Sequence, residues 1–218
     1  MKNVYIYCEG QAEENFINEL LTPYFLAFDI YVRPIVCTTK RTSTEKQRGG
    51  VSDYGKIKKE LTILCKQHRN EYVTTMFDYY GMPDNTPGID NATSDIYERM
   101  AQIEASIDQD VAIDNCFFSL MLHEFEALLF SDPSAFIEVA PQETVEAIAS
   151  IRAEFQTPEH INNDVRTSPS KRLEALIPRY AKVVNGVLVG RAVGLDCMMR
   201  ECSHFARWIE KIKACGVS

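Results

Sequence analysis

Val4-Tyr5-Ile6-Tyr7-Cys8-Glu9-Gly10-Gln11-Ala12-Glu13-Glu14-Asn15-Phe16 is the stretch that decides how this chain is read. Residues 4–8 are an apolar run that predicts a buried strand, Glu9 sits at its end, and Gly10 breaks it. Glu13 follows four positions after Glu9, where Phe16, Ile17, Leu20, Leu21 and Tyr24 recur at three- and four-residue spacing and predict an amphipathic helix. Glu9 on a strand tip and Glu13 in the first helical turn put two carboxylates over one strand edge. In open α/β sheets, sites form outside that carboxyl edge. Clustered carboxylates suit a hard cation such as Mg²⁺. Acids in a first helical turn also favour the helix dipole, so both readings stand on this stretch alone.

Working outward, residues 30–38 are rich in Val, Ile and Tyr and predict a second strand. The polar stretch 39–50 carries Lys40, Arg41, Lys46 and Arg48 and closes on two glycines, the composition of a loop. Its cations are candidates to grip a nucleic-acid backbone; a solvated basic loop is the plainer alternative. A helix is expected over 53–68, capped by Ser52 or Asp53, with Ile57, Leu61 and Leu64 on one face. The strand expected over 72–77 ends in Asp78-Tyr79-Tyr80-Gly81. A helix near 94–107 then leads to a fourth strand, 116–122, which runs into His123-Glu124-Phe125-Glu126-Ala127-Leu128-Leu129-Phe130. The order β-α-β-α-β-α-β predicts an α/β fold, a parallel sheet covered by helices. Helical patterns recur over 143–154, 169–180 and 194–213, with a short turn expected at Val184-Asn185-Gly186-Val187. Residues 1–135 are therefore read as the α/β core and 136–218 as a helical extension packed on it.

Composition narrows the function classes. The net charge of −8 argues against a stand-alone basic nucleic-acid binder, so a phosphate-bearing substrate would need a metal, a local basic loop or a partner. Seven scattered cysteines fit reduced thiols in a cytoplasmic protein better than a disulfide framework. No run of about 18 apolar residues predicts a membrane span, and the N-terminus shows no signal-peptide pattern. Neither GxxxxGK[ST] nor GxGxxG occurs, so ATP is not expected to bind by those routes. Cys197, Cys202 and His204 lack the spacing of a zinc site.

Three of the four expected strands end in acid: Glu9, Asp78, and the pair Glu124 and Glu126. Converging carboxylates repel unless a cation or protons join them; Mg²⁺ or Mn²⁺ would serve, and capping of strand-to-helix junctions is the alternative. Glu9-Gly10 with Glu13 resembles the Glu-x-x-x-Glu start of Toprim domains, especially those of OLD-type nucleases, and Asp78 with Gly81 resembles their Asp-x-Asp-Gly strand end. Together with His123-Glu124-Phe125-Glu126-Ala127-Leu128-Leu129-Phe130 and Ser168-Pro169-Ser170-Lys171-Arg172-Leu173, these motifs resemble the DUF4276 family over essentially the whole chain.

The resemblance implies a Toprim-like sheet and a metal-dependent nuclease acting on DNA or RNA. It also implies a bacterial setting, with a role in phage defence beside an AAA/ABC-type ATPase. In that frame Glu9 is a metal ligand or general acid/base, and Glu13 and Asp78 are metal ligands. Glu126 is preferred to Glu124 as the further ligand, because Glu124 is expected to cap the helix that follows. His123 is a candidate proton shuttle. Lys171 and Arg172, beside Pro169 at a helix start, are candidate phosphate contacts. Tyr80 stands where the Toprim pattern has its second Asp, which favours the competing reading of a catalytically degenerate subunit that serves the ATPase. A phosphatase acting on a small nucleotide is a third reading. The oligomeric state is left open, with Tyr79 and Tyr80 candidates for an interface or for base stacking.

Overall fold

The computed structural model describes residues 1–37, 53–91, 93–161 and 167–217. Five strands form the sheet, all pairing parallel: β1 (Lys2–Cys8), β2 (Ile30–Val36), β3 (Tyr72–Asp78), β4 (Cys116–Phe117) and β5 (Leu120–Met121). The order is β2-β1-β3-β4, with β5 also paired to β3. Side-chain alternation along β1 gives each face its own core. Val4, Ile6 and Cys8 join one apolar cluster, while Tyr7 joins the other with β3's Val73 and Phe77.

The second cluster is covered by α3 (Tyr54–Gln67) and α4 (Ile96–Val111). Both helices start on an aspartate cap: Asp53, one of the two candidates for its helix, accepts from Gly55 N, and Asp95 accepts from Glu98 N. The first cluster is covered by α1 (Gln11–Phe16), a π-helical turn (Ile17–Leu21), α2 (Thr22–Leu26) and the C-terminal helices. Those are α5 (Gln142–Ala153), α6 (Pro169–Leu176), α7 (Lys182–Val193), α8 (Leu195–Glu201) and α9 (Ser203–Val217). Residues beyond 136 thus share the core of β1 through Leu173, Val189 and Ile209. Among the described residues, no helix is long and apolar enough to cross a membrane.

Four elements differ from expectation, each for a local reason. The fourth strand is two short pieces, because Thr75 Oγ1 interrupts the ladder: it accepts from Ser119 N and donates to Ser119 O, both at 2.8 Å. Helix α4 supplies further partners there, Asp108 accepting from Phe118 N at 2.6 Å and Glu104 from Leu120 N at 2.8 Å. The expected helix 169–180 stops at Leu176, since Ile177 precedes Pro178 and is pushed to extended backbone. The expected helix 194–213 breaks at Cys202 into α8 and α9, and Glu159 caps the new helix by accepting from His204 N and Phe205 N. The turn expected at 184–187 is absent: α7 runs straight through it. Its glycines serve close packing instead, Gly186 lying against Phe125 and Tyr180, and Gly190 against Leu20 and Leu129.

A Cβ at Gly190 would stand 3.1 Å from Leu20 Cδ2. Gly190→Val should therefore overpack the α7 contact and destabilise the fold by about 1–3 kcal/mol, read as a lower denaturation midpoint. An unchanged midpoint would show that α7 does not pack as described.

Candidate functional site

The parallel register brings the tips of β1, β3 and β5 together at one end of the sheet. Glu9 follows β1, Asp78 closes β3, and Glu124 and Glu126 follow β5. Backbone N–H groups clasp the tips to one another. Glu9 Oε1 accepts from Asp78 N at 2.8 Å, and Asp78 Oδ1 accepts from Phe125 N at 3.0 Å. Tyr80 N donates to the His123 carbonyl at 3.2 Å. Gly81 closes the cluster on another side; a Cβ there would stand 3.2 Å from Glu9 Oε2, so the glycine leaves that oxygen room. Glu13 lies in the first turn of α1, buried.

The sequence-derived set Glu9, Glu13, Asp78 and Glu126 is brought into one electrostatic unit, with Glu124 added. Burial pushes the Glu9 carboxyl up to about 8, reinforced by Glu13 and Glu124 and opposed by the Asp78 N–H and Lys182. Burial pushes Glu126 up to about 7, Lys182 opposing and Glu124 reinforcing. Asp78 is held well above the carboxylate range by burial and then by the charges of Glu9, Glu13, Glu126 and Glu124. Glu13 is also raised, chiefly by burial.

Lys182, at the start of α7, is the residue that the sequence reading missed. Its Nζ lies 2.7 Å from Glu126 Oε1 as an ion pair. Burial alone would lower the ammonium, but Glu126, Glu124 and Asp78 outweigh that and hold it above its usual range. The available signal was a lysine two positions after Tyr180 at the head of an otherwise apolar run, hidden by the turn expected at 184–187. Tyr180 was missed as well: its hydroxyl is buried without a hydrogen bond among the described residues.

Glu124 does cap a helix, though not the 3₁₀ segment that follows it. Its Oε2 accepts from Ser170 N at 2.8 Å, at the start of α6. A carboxylate of the chain thus takes the anion position expected for a phosphate. Lys171 is exposed and pairs with Glu174 at 2.5 Å. Arg172 Nε donates to the Thr167 carbonyl at 2.7 Å, with its guanidinium over Phe155. Lys40 and Arg41 lie outside the described residues. His123 adopts φ 63°, a left-handed conformation unusual for a non-glycine residue, and its Nδ1 is buried without a partner among the described residues. Burial, with His160, holds its pKa down to about 4, so the ring is neutral near pH 7.

The donor set fits a hard divalent cation in one respect: with Oε1 paired to Lys182, Glu126 Oε2 is buried without a hydrogen bond among the described residues. Among the described residues, no three His, Cys, Asp or Glu side chains stand grouped so that together they could hold a metal ion. An open site of one or two carboxylates completed by water is the usual manner of Mg²⁺, and the cluster fits that manner.

A family model, "Domain of unknown function (DUF4276)", matches residues 8–213. The chain belongs to the DUF4276 family. No curated protein matches this DUF4276 chain. Among solved structures it is similar to the C-terminal region of the Burkholderia pseudomallei OLD protein, with TM-score 0.50 and 16% identity over 98% of this chain and 99% of that one. It is also similar to the C-terminal region of the Xanthomonas campestris pv. campestris OLD protein, with TM-score 0.47 and 14% identity over 98% and 95% of the two chains. The fold of this DUF4276 chain is accordingly Toprim-like α/β.

The raised carboxyls set a pH dependence. Between the ordinary carboxyl value of 4.5 and the raised value of about 8, the folded state holds protons that the unfolded chain has released. Stability must then fall as pH rises. His123 acts in the opposite direction, but only between about 4 and its ordinary 6.5. Metal-free protein should therefore lose Tm between pH 6.5 and 8, and Mn²⁺ should restore more of it at the upper end. Thermal melts check this; a flat or rising Tm across that window would refute it.

Proposed function

We propose that this chain is a Mg²⁺- or Mn²⁺-dependent phosphodiesterase that hydrolyses nucleic-acid backbone, DNA or RNA. The observation that carries this is the convergence of Glu9, Glu13, Asp78, Glu124 and Glu126 on one buried cluster, with Lys182 the cation acting on it.

In phosphodiester hydrolysis the water oxygen forms a bond to phosphorus as the opposite P–O bond breaks, and the water's proton passes to a base. Glu9 suits the base: Oε1 is fixed by Asp78 N, Oε2 has the room that Gly81 leaves, and the carboxyl titrates near neutrality. Lys182 offsets charge that develops on the phosphate oxygens. His123 is neutral, and its Nδ1 has no hydrogen bond among the described residues, which suits it to relay a proton to the departing sugar oxygen. One or two carboxylates drawn from Glu9, Glu13, Asp78 and Glu126, completed by water, would hold the metal, which when bound would lower the pKa of water and neutralise phosphate charge.

The net charge of −8 gives the surface little hold on a phosphate backbone. That supports the further proposal of an AAA/ABC-type ATPase as partner, in bacterial defence against phage. Tyr80 and the absence of a three-ligand cage among the described residues favour a second reading, a degenerate subunit that regulates such an ATPase.

Cleavage of supercoiled plasmid and labelled RNA with Mg²⁺ or Mn²⁺, with and without the ATPase, separates the two readings. Glu9→Gln and Asp78→Asn should each lose at least about 10²-fold in rate, and Lys182→Met about 10²- to 10³-fold. Cleavage that survives both carboxylate changes would place the chemistry elsewhere. No cleavage and no calorimetric Mn²⁺ binding would leave the regulatory subunit standing.

A further inference from the structure

The connector between α6 and α7 brings two polar side chains to the acid cluster, and among the described residues only one of them has a side-chain partner there. Ile177 is extended ahead of Pro178, and Arg179 adopts φ 62°, a left-handed conformation that a non-glycine residue seldom takes. Tyr180 N then donates to the Ile177 carbonyl at 3.1 Å, which closes the turn. The Tyr180 ring packs on the core of β1, and two residues on Lys182 pairs with Glu126 Oε1. Gly186, in the first turns of α7, leaves the ring its place: a Cβ there would stand 3.8 Å from Phe125 Cζ and 3.9 Å from Tyr180 Oη. The phenol oxygen and Phe125, the chain neighbour of Glu126, thus flank one spot.

Tyr180 Oη is buried without a hydrogen bond among the described residues, whereas a buried phenol ordinarily finds a partner. Burial first, and then the charges of Glu126, Glu124 and Glu174, hold its pKa above the usual value, so the hydroxyl keeps its proton and acts as a donor. Glu126 Oε2 is an orphan of the opposite kind, an acceptor without a donor. Lys182 holds the same carboxylate through Oε1 at 2.7 Å, and the two partners differ in freedom: the lysine side chain is 35% exposed and the glutamate 0%. Lys182 is therefore the member of the pair that can turn outward. Glu126 would then be left buried with no donor at all, which is costly.

We propose that Tyr180 is a positioning residue that takes over Glu126 from Lys182: when Lys182 turns to a phosphate oxygen, the Tyr180 hydroxyl donates to the Glu126 carboxylate and keeps it in the cluster. The left-handed turn at Arg179 carries both donors on one short connector, so one of them can leave while the other stays. That a phosphate draws Lys182 away rests on the hydrolytic reading proposed above; the readiness of Tyr180 as second donor does not.

The test is a double-mutant cycle on the full chain without metal, with Tyr180→Phe, Lys182→Met and both together, read by thermal melts and by a crystal structure of Lys182→Met. Phenylalanine keeps the ring and removes only the hydroxyl. Tyr180→Phe should leave the Tm of wild type unchanged or raise it, because an orphan is removed, and should lower the Tm in the Lys182→Met background. The Lys182→Met crystal should show Tyr180 Oη within hydrogen-bond distance of Glu126. With Mg²⁺ and labelled nucleic acid, Tyr180→Phe should lower kcat roughly tenfold at unchanged KM. An equal loss of Tm in both backgrounds would make the hydroxyl merely structural and overturn the proposal. So would an unbonded Oη in Lys182→Met, or a raised KM at unchanged kcat, which would mean that Tyr180 touches substrate instead. If Lys182→Met fails to fold, the wild-type melt of Tyr180→Phe and the split between kcat and KM decide. A wild type that cleaves nothing sinks the hydrolytic reading alone, because the melts and the crystal are read without metal or substrate.

Discussion

Like charges held together out of water are the constraint on which the rest of this protein depends. Glu9, Asp78, Glu124 and Glu126 come from three strand tips and Glu13 from the first turn of α1, and their charges raise the cost of ionising one another. The parallel register forces the meeting, because Asp78 pairs with Met121 and the next residues of both strands emerge on the same edge. Backbone N–H groups of Asp78, Phe125 and Ser170 then keep three of the acids from turning away. Little else near the cluster is free to be different. Gly81 must be small beside Glu9, and a cation must be near Glu126.

The helices beyond residue 136 acquire their purpose from the same constraint. Lys182 reaches Glu126 because α7 lies close against the 3₁₀ segment that carries Glu126, and it lies close because Gly186 and Gly190 face Phe125 and Leu20 without side chains. The start of α6 donates to Glu124. Helices beyond residue 136 therefore carry half of the groups that orient or neutralise the acids, although none of those acids lies beyond residue 126.

Much of this was legible in the sequence. The strand-Glu-Gly-helix start, the βα alternation and the acids at strand ends each follow from patterns within about a dozen residues, and the parallel sheet flanked by helices that they predict is observed, apart from the split fourth strand. What escaped detection depends on packing between distant segments. Gly186 in Val184-Asn185-Gly186-Val187 carries the local signal of a turn, and only its contact with Phe125 and Tyr180 explains a glycine inside a helix. With the helix unseen, Lys182 had no face and no partner. The break in the fourth strand was equally hidden, since it needs Thr75, far earlier in the chain, to take the place of a ladder bond. Glu124 was recognised as a cap, but its partner Ser170 lies in a helix remote in sequence.

The interrupted fourth strand bears on how the molecule meets other chains. An open sheet exposes unpaired backbone at each margin, a template on which a foreign strand can zip up. Here the N–H groups of Phe118 and Leu120 are already claimed by Asp108 and Glu104. At the opposite margin β2 contains Pro34, which has no N–H to offer. Both margins are blunted against strand addition, so aggregation through the sheet is discouraged and recognition of a partner falls to helix and loop surfaces.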